Sequence, residues 1–153
     1  MLLAQKFGME YTESDGQKKI PYIIHRTSMC CYERTLALLI EKYAGALPLW
    51  LMGTQVKVMP ITDRAHEYAK GLTQQLKDAG IRAEVDCRSE KLGYKIREAQ
   101  MQKIPYMLVV GDRDMENGTV SVRTRKGEDL GAMTPTEFLS KCLLEIATKS
   151  KEV

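Results

Sequence analysis

Arginines and hydroxyl side chains alternate along one short segment of the chain, TVSVRTR. The alternate positions that carry them are Thr119, Ser121, Arg123 and Arg125. Because successive side chains of a strand point to opposite faces, these four are predicted to share one polar face. Guanidinium groups beside hydroxyls can hold phosphates and can reach the edges of unstacked bases in single-stranded loops. The pattern predicts a nucleic-acid-binding strand; the alternative is an edge strand whose charges prevent aggregation.

A second candidate is the segment CRSEKLGYKIRE, where a strand is expected to end and a helix to begin. Ligands of open α/β sheets bind at such positions. The free N–H groups of a helix start, together with Lys91, favour an anionic group there. Between Arg88 and Lys126, nine basic residues stand against five acidic ones. This excess indicates a basic patch, with an ordinary mixed-charge surface as the alternative.

The elements that must position these groups alternate between strands and helices. The segments VKVMPIT, IRAEVDC and YMLVVG predict strands, and apolar residues at helical spacing predict helices after the first two. We expect Thr62 or Asp63 to cap the first helix and the second to run from about Lys91 to Lys103. Short links between these elements favour parallel pairing through right-handed crossovers.

The pattern changes after the third strand. Asn117-Gly118 predicts a tight hairpin, so TVSVRTR should pair antiparallel to YMLVVG. A final helix is predicted to begin at Thr134, with Pro135 in the first turn and Glu137 completing a capping box. The predicted fold class is therefore α/β, with a mixed, mostly parallel five-stranded sheet flanked by three helices.

The first third of the chain predicts a hairpin, from residues 9 to 12 and 20 to 27 around Asp15-Gly16, and a helix from about Cys31 to Tyr43. Pro48 and Gly53 break the pattern. We therefore predict a first region of residues 1–48, a linker of residues 49–55 and a domain of residues 56–150. A hairpin and one helix cannot bury both sheet faces, which predicts an exposed apolar surface that contacts another chain.

Composition excludes several classes of protein. A hydrophobic fraction of 44% and a charged fraction of 28% are typical of a soluble folded chain. No apolar run approaches the roughly 20 residues that a membrane span needs, and no leader pattern is visible, so we expect a cytoplasmic protein. The four cysteines form no CxxC pair, which favours reduced thiols. A third reading, a small-molecule-binding module, lacks a GxGxxG or P-loop motif.

Two long runs, GYKIREAQMQKIPYMLVVGD and TVSVRTRKGEDLG, resemble the C-terminal anticodon-binding domain of threonyl-tRNA synthetases, which are class II aminoacyl-tRNA synthetases. The resemblance covers roughly residues 7 to 146. It implies a class II anticodon-binding fold that binds the anticodon arm of threonine tRNA, and not DNA, in support of ATP-dependent threonylation during translation. The family often has Asn at position 89 and Glu at position 114. The implied anticodon-binding residues are Ser89, Lys91, Asp114 and Arg123, with Arg125 and Lys126 as neighbouring cations.

The upstream run IHRTSMCCYERTLALLIEKYAG resembles the last signature motif of a class II catalytic domain, so the hairpin and helix are interpreted as its remnant. Arg34 matches the arginine that binds ATP phosphate, and Cys30 stands where the family usually has glycine. His25 matches a histidine that holds zinc together with a cysteine and a second histidine, neither of which this chain contains. The resemblance implies ATP with magnesium and a zinc ion in the full-length family, and no cofactor in this chain alone.

The leading hypothesis is thus a C-terminal part, or a shortened relative, of a threonine-tRNA ligase. Without the upstream motifs the isolated chain is expected not to activate threonine, and threonine-dependent pyrophosphate exchange would test this. Two alternatives remain: a stand-alone tRNA-binding paralogue, or half of a split synthetase that pairs with a separate catalytic chain.

Overall fold

A computed structural model describes residues 2–26, 28 and 31–151. Cys30, which the sequence places near a nucleotide motif, lies outside the described residues. The chain divides into two compact units, Met1–Leu36 and Ala37–Val153. The predicted boundaries at residues 48 and 55 stay predictions.

The first unit contains a short helix, α1 (Leu2–Lys6), and two strands, β1 (Tyr11–Thr12) and β2 (Lys18–Lys19). The strands pair antiparallel, with Tyr11 opposite Lys19, and Gly16 in the turn has a φ of 79°. The predicted antiparallel hairpin around Asp15-Gly16 is confirmed, but its second strand lies before the predicted range of residues 20–27, and the described residues 20–26 form no strand. Pro21 explains this in part, because proline cannot donate a ladder hydrogen bond.

Helix α2 (Tyr32–Tyr43) agrees with the predicted helix. Its end is set by Gly45, which has a φ of 77° and donates its N–H to the carbonyl of Ile40 at 3.0 Å. None of the residues of α2, all of which the structure describes, is buried. Its apolar stripe is therefore left largely in solvent.

Within the described part of the second unit, five strands form one sheet in the order β4-β3-β5-β6-β7. The strands are β3 (Val56–Pro60), β4 (Ala83–Val85), β5 (Tyr106–Val110), β6 (Val120–Thr124) and β7 (Asp129–Met133). Strand β3 pairs parallel to β4 and β5, whereas β6 pairs antiparallel to β5 and β7. The predicted mixed five-stranded sheet is confirmed.

Helices cover both faces of this sheet. The main ones are α3 (His66–Asp78), which follows a 3₁₀ turn at Asp63–Ala65, α4 (Leu92–Met101) and α6 (Pro135–Ala147). Helices α3 and α6 share one buried cluster with alternate residues of the strands, and α4 packs on the opposite face against Met59 and Met107. All five residues of β3 are consequently buried, as expected for a central strand that helices cover on both faces.

Two local predictions are corrected by tertiary contacts. Residues 112–117 form a short helix, α5 (Asp112–Asn117), and Gly118, with a φ of 63°, ends that helix instead of closing a two-residue hairpin. Thr62 makes no side-chain capping bond to the 3₁₀ turn that precedes α3; its hydroxyl donates to Asp112 Oδ1 at 2.8 Å. A partner distant in sequence therefore competes successfully for that hydroxyl.

The capping box of α6 is confirmed. The amide N–H of Thr134 donates to Glu137 Oε2 at 2.9 Å, and the amide of Glu137 donates to the hydroxyl of Thr134 at 3.3 Å. Among the described residues, no helix has the length and apolar character needed to cross a membrane.

Candidate nucleic-acid interface

The predicted polar face of β6 is present. Val120, Val122 and Thr124 are buried, whereas Ser121 and Arg123 are partly exposed. Ser121 lies opposite Val109 and Arg123 opposite Met107, which packs with α4, so both polar side chains lie on the α4 side of the sheet. Because β6 pairs with β5 on one side and β7 on the other, it is not an edge strand. The alternative explanation, charges that guard an exposed edge, is therefore wrong for Arg123.

Asp114 lies beside this face, on α5. Its Oδ2 accepts the amide N–H of Gly111 at 2.9 Å, which satisfies a donor at the start of the helix. Its Oδ1 accepts the hydroxyls of Ser121 at 3.3 Å and Thr119 at 3.4 Å. Since an ionised carboxylate has about four acceptor sites, Asp114 keeps capacity for a base donor while it fixes the start of β6.

Tyr68 on α3 contributes a further polar group at this point. Its hydroxyl donates to the carbonyl of Thr119 at 3.4 Å. Burial, and secondly the negative charge of Asp114, raise the pKa of Tyr68. Tyr68 was not predicted as part of the site, because α3 precedes β6 by about fifty residues and only the fold places them together.

Arg123 is oriented by the neighbouring strand. Its Nη2 donates to Asp129 Oδ2 at 3.2 Å, and the arginine side chain remains 42% exposed. The pairing of β6 with β7 shifts register between Val122 and Arg123, and Gly131 on β7 has a φ of 81°. This bulge places Asp129 opposite Arg123, so the ion pair directs the guanidinium more than it stabilises the fold.

Arg125 and Lys126 follow the end of β6. The amide of Arg125 donates to the carbonyl of Pro105 at 3.0 Å, at the end of the strands opposite to Asp114. At about 3.3 Å per residue, Arg125 lies about 13 Å along the strand from Ser121. Its Nη1 donates to the carbonyl of Leu47 at 2.6 Å, and burial lowers its pKa. Lys126 is exposed in the turn that follows.

Ser89 and Lys91 lie at the carboxyl ends of β3 and β4, in the loop that leads into α4. Both line a cavity of about 260 Å³ that is also lined by His66 and the buried Lys95. Lys91 is the N-cap of α4 and makes no side-chain capping bond, which leaves the first amides of the helix open to an anion. The six predicted anticodon-binding residues thus do not form one cluster, because they extend from this loop to the turn after β6, at the opposite end of the strands.

The basic residues of the predicted patch fall into two groups. Arg88 pairs with Asp86 and Glu98, Arg123 pairs with Asp129, Lys95 is buried, and Arg125 is bonded to a carbonyl. The other five are exposed and have no ion pair among the described residues: Lys91, Arg97, Lys103, Arg113 and Lys126. These five are the cations best placed to attract a phosphate backbone.

Arg34 and His25 are both exposed residues of the first unit. Across the residues that the structure describes, no three His, Cys, Asp or Glu side chains come close enough to hold a metal ion. The surroundings of His25 therefore do not fit the zinc site of the full-length family.

A family model described as "Anticodon binding domain" matches residues 55–145. The chain belongs to the anticodon binding domain family. Its match contains every one of the six predicted contact residues, from Ser89 to Lys126, and includes neither Arg34 nor His25. The polar strand and the loop into α4 are thus parts of an anticodon binding domain.

Individual proteins agree with this assignment. The chain is 54% identical to a threonine--tRNA ligase of Clostridium perfringens strain 13 over 96% of its length, and 54% identical to that of Clostridium botulinum strain Eklund 17B over 97%. It spans 23% of the length of each of these curated relatives. The resemblance to threonyl-tRNA synthetases inferred from the sequence is confirmed.

Solved structures show the same fold. The RNA binding domain of threonyl-tRNA synthetase from Cryptosporidium parvum superposes with a TM-score of 0.73 at 30% identity, over 93% of this chain and 36% of that one. A prolyl-tRNA synthetase from the same organism also reaches a TM-score of 0.73, over 95% of this chain and 31% of that one. At 22% identity, this second likeness shows the shared fold alone.

Proposed function

We propose that this chain binds the anticodon arm of threonine tRNA and thereby supports the attachment of threonine to that tRNA in translation. The observation that carries the proposal is the family match over residues 55–145, which contains all six candidate contacts. The identity of 54% to threonine--tRNA ligases supports threonine tRNA as the partner.

The sheet offers a path for a single-stranded loop. Ser89 and Lys91 lie at the end of the sheet where the parallel strands finish, Asp114 and Ser121 lie beside each other at that same end, and Arg123 follows along β6. Hydroxyl, carboxylate and guanidinium groups can together match both donors and acceptors on base edges. The path supports direct reading of unpaired bases, with Arg123 and Asp114 as the charged readers.

Phosphate contacts would supply most of the affinity. Among the basic residues between Arg88 and Lys126, the five exposed ones that lack an ion pair in the described structure include Lys91 in the loop into α4 and Lys126 in the turn after β6. Each phosphate contact releases condensed counterions, and because their release is less favourable at higher salt concentration, binding weakens as salt rises. Binding is therefore expected to be strongly salt-dependent, with discrimination set by the base contacts.

Titration of the purified chain with short anticodon stem-loop RNAs tests the proposal. At one moderate salt concentration, the loop with a threonine anticodon should bind more tightly than loops with one anticodon base replaced, by about 1 to 3 kcal/mol per change. Lys77 lies on α3, which covers the face of the sheet opposite to Arg123, and it serves as a control position. Lys77→Ala should leave the preference for the threonine anticodon unchanged. Equal affinity for threonine and unrelated loops would contradict the proposal.

The first unit favours a second proposed role, contact with a catalytic domain. Its side chains include Phe7, Tyr22 and Ile24, which are 70%, 77% and 80% exposed. Large apolar side chains in solvent mark contact surfaces. The chain spans 23% of its relatives, so we propose that the first unit packs against a synthetase catalytic domain, on the same or a separate polypeptide.

Co-purification with the remaining part of the Clostridium perfringens ligase tests this second role. We expect light scattering to detect a complex between the two chains, and we expect Tyr22→Ser to abolish it. Lys18→Ser, a change at an exposed polar position, should not affect it. A chain that stays monomeric in the presence of that partner would refute this role.

We also propose that His25 holds no zinc in this chain, because the described residues supply no companion ligands. Metal analysis after purification should find no stoichiometric zinc. Tight, stoichiometric zinc would overturn the proposal.

A further inference from the structure

The loop that carries Ser89 and Lys91 is anchored at Asp86, the first residue after β4. Asp86 is only 4% exposed. Its amide donates to the carbonyl of Val58 on β3 at 2.8 Å, and its own carbonyl accepts from the buried Lys95 Nζ at 3.0 Å. The backbone is therefore tied to the sheet on one side and to α4 on the other before the loop begins.

The carboxylate of Asp86 holds Arg88. Oδ1 accepts the amide of Arg88 at 3.2 Å and its Nε at 2.9 Å, and Oδ2 accepts Nη2 at 2.6 Å. This two-pronged arrangement fixes the orientation of the guanidinium, which a single point charge would not do. The hydrogen bonds from Arg88 lower the pKa of Asp86 to about 2, so the carboxylate stays charged at neutral pH.

Arg88 also reaches the helix that follows the loop. Its Nη2 donates to Glu98 on α4. The carbonyl of Arg88 accepts the amide of Glu90 at 2.9 Å, which makes a tight turn with Ser89 at its centre. Arg88 therefore holds the loop through its side chain and its backbone, immediately before Ser89.

Ser89 is left free to bind. It is exposed, it lines the cavity at the carboxyl ends of the strands, and no hydrogen bond of its hydroxyl occurs within the described residues. A side chain that reads a base must be held in the right geometry by its neighbours, since small displacements weaken the contact. The contacts of Arg88 meet that requirement for Ser89 and for Lys91 two residues further on.

We propose that Arg88 is a positioning residue for anticodon recognition: its guanidinium, fixed between Asp86 and Glu98, sets the shape of residues 87–91 and so aims Ser89 and Lys91 at the anticodon. This inference rests on the proposed function. It separates Arg88 from the cations that bind phosphate directly, because two carboxylates already balance its charge.

Three single substitutions distinguish positioning from phosphate contact. Arg88→Ala removes a positive charge, Arg88→Lys keeps the charge but loses the fork, and Glu98→Ala removes a negative charge. If Arg88 positions the loop, all three should lower the preference for the threonine anticodon stem-loop over single-base variants, by about fivefold or more. Glu98→Ala, which removes a negative charge, should lower this preference without weakening the average affinity for the RNAs. Arg88→Ala, which removes a positive charge, should lower the preference and weaken the average affinity as well.

A direct phosphate contact would give a different result. Arg88→Lys would then behave like the wild type, and Arg88→Ala would weaken all RNAs equally and lower the slope of log K against log salt by about 0.7 to 0.9. Glu98→Ala would strengthen binding to all RNAs without changing the preference. Any of these patterns would overturn the inference. Thermal unfolding of each variant shows that it is folded, and Arg88→Lys is the mildest change if Arg88→Ala is not.

A double-mutant cycle with Ser89→Ala shows whether Arg88 acts through Ser89. If it does, Arg88→Ala should lower the anticodon preference of the wild type but should cause little further loss in a chain that already carries Ser89→Ala. Independent, additive losses would contradict this path. If the unmodified chain shows no preference for the threonine anticodon, the proposed function is refuted. If it shows that preference and all Arg88 and Glu98 variants keep it, only the inference about Arg88 is refuted.

Discussion

Arginines close together in the sequence perform different tasks in this protein. Arg88 is held between two carboxylates, Arg123 is 42% exposed and paired to Asp129, and Arg125 donates to a main-chain carbonyl. A guanidinium that is already bonded internally has fewer N–H donors left for RNA. The task of each arginine is thus set by its partners, and substitutions should separate them.

Arg123→Ala is expected to weaken binding to the threonine anticodon stem-loop by about 1 to 3 kcal/mol and to reduce discrimination among anticodons. The reason is that Arg123 is a partly exposed residue on the polar face of β6, and a guanidinium can form paired hydrogen bonds with a base edge. Equilibrium titration with the matched and single-base variant loops measures both quantities. A loss that is uniform across anticodons would make Arg123 a phosphate contact instead.

Arg125→Ala and Lys126→Ala are expected to differ. The first leaves the carbonyl of Leu47 without its donor and should lower the free energy of unfolding by about 1 to 3 kcal/mol. The second should leave stability unchanged, weaken RNA binding evenly and reduce the salt slope by about one. Denaturant unfolding and RNA titration of both variants check this. Equal stability of the two variants would show that the Leu47 contact contributes little.

At the scale of the elements, the helices differ in whether a side chain caps the N–H groups at their start. We call a capped start closed and an uncapped start open. A carboxylate in the first turn returns to the preceding amide in both α5, through Asp114, and α6, through Glu137. Helix α4 lacks such a cap and begins beside the cavity that Ser89 lines. A closed start stabilises the fold, whereas an open start keeps N–H groups for an anion.

Thr134→Ala should lower the free energy of unfolding by about 1 kcal/mol, because it removes the capping hydroxyl of α6. RNA affinity should not change, since α6 covers the opposite face of the sheet from Arg123. Thr136→Ala, an exposed threonine in the same helix, is the matched control and should change stability by less than about 0.5 kcal/mol. Equal effects of the two substitutions would show that the cap is not responsible.

At the scale of the whole molecule, internal ion pairs make stability depend on pH. Hydrogen bonds from Arg88 lower the pKa of Asp86 from 3.8 to about 2. A carboxyl group whose pKa is lower in the folded state contributes stability above its unfolded pKa and loses it as pH falls. The pKa of Glu98 is also lowered by Arg88, so its contribution has the same sign.

We therefore expect the free energy of unfolding to fall by about 2 kcal/mol on account of Asp86 as pH is lowered from about 4 to about 2. Asp86→Asn should be less stable than the wild type at neutral pH, and the difference should shrink across that range. Urea unfolding at a series of pH values measures both curves. Parallel curves would show that Asp86 does not carry this dependence.

Much of this fold and of its candidate site could be predicted from local sequence patterns. Helix α2, the Thr134 capping box and the alternation along β6 were predicted correctly, because each depends on residues within a few positions of one another. The connection at Asn117-Gly118 was predicted wrongly, since the amide of Gly111 and the hydroxyl of Ser121 both bond Asp114 and stabilise a short helix in its place. A dipeptide pattern does not include such partners.

By itself, the sequence determined the family, the order of the elements and which side chains share the polar face of β6. The tertiary structure alone decided that β6 lies inside the sheet, that Arg125 serves a main-chain carbonyl, and that Arg88 joins Asp86 to Glu98. The physical reason is that side-chain periodicity is a property of neighbouring residues, whereas strand order and ion pairing depend on contacts between segments far apart in the chain.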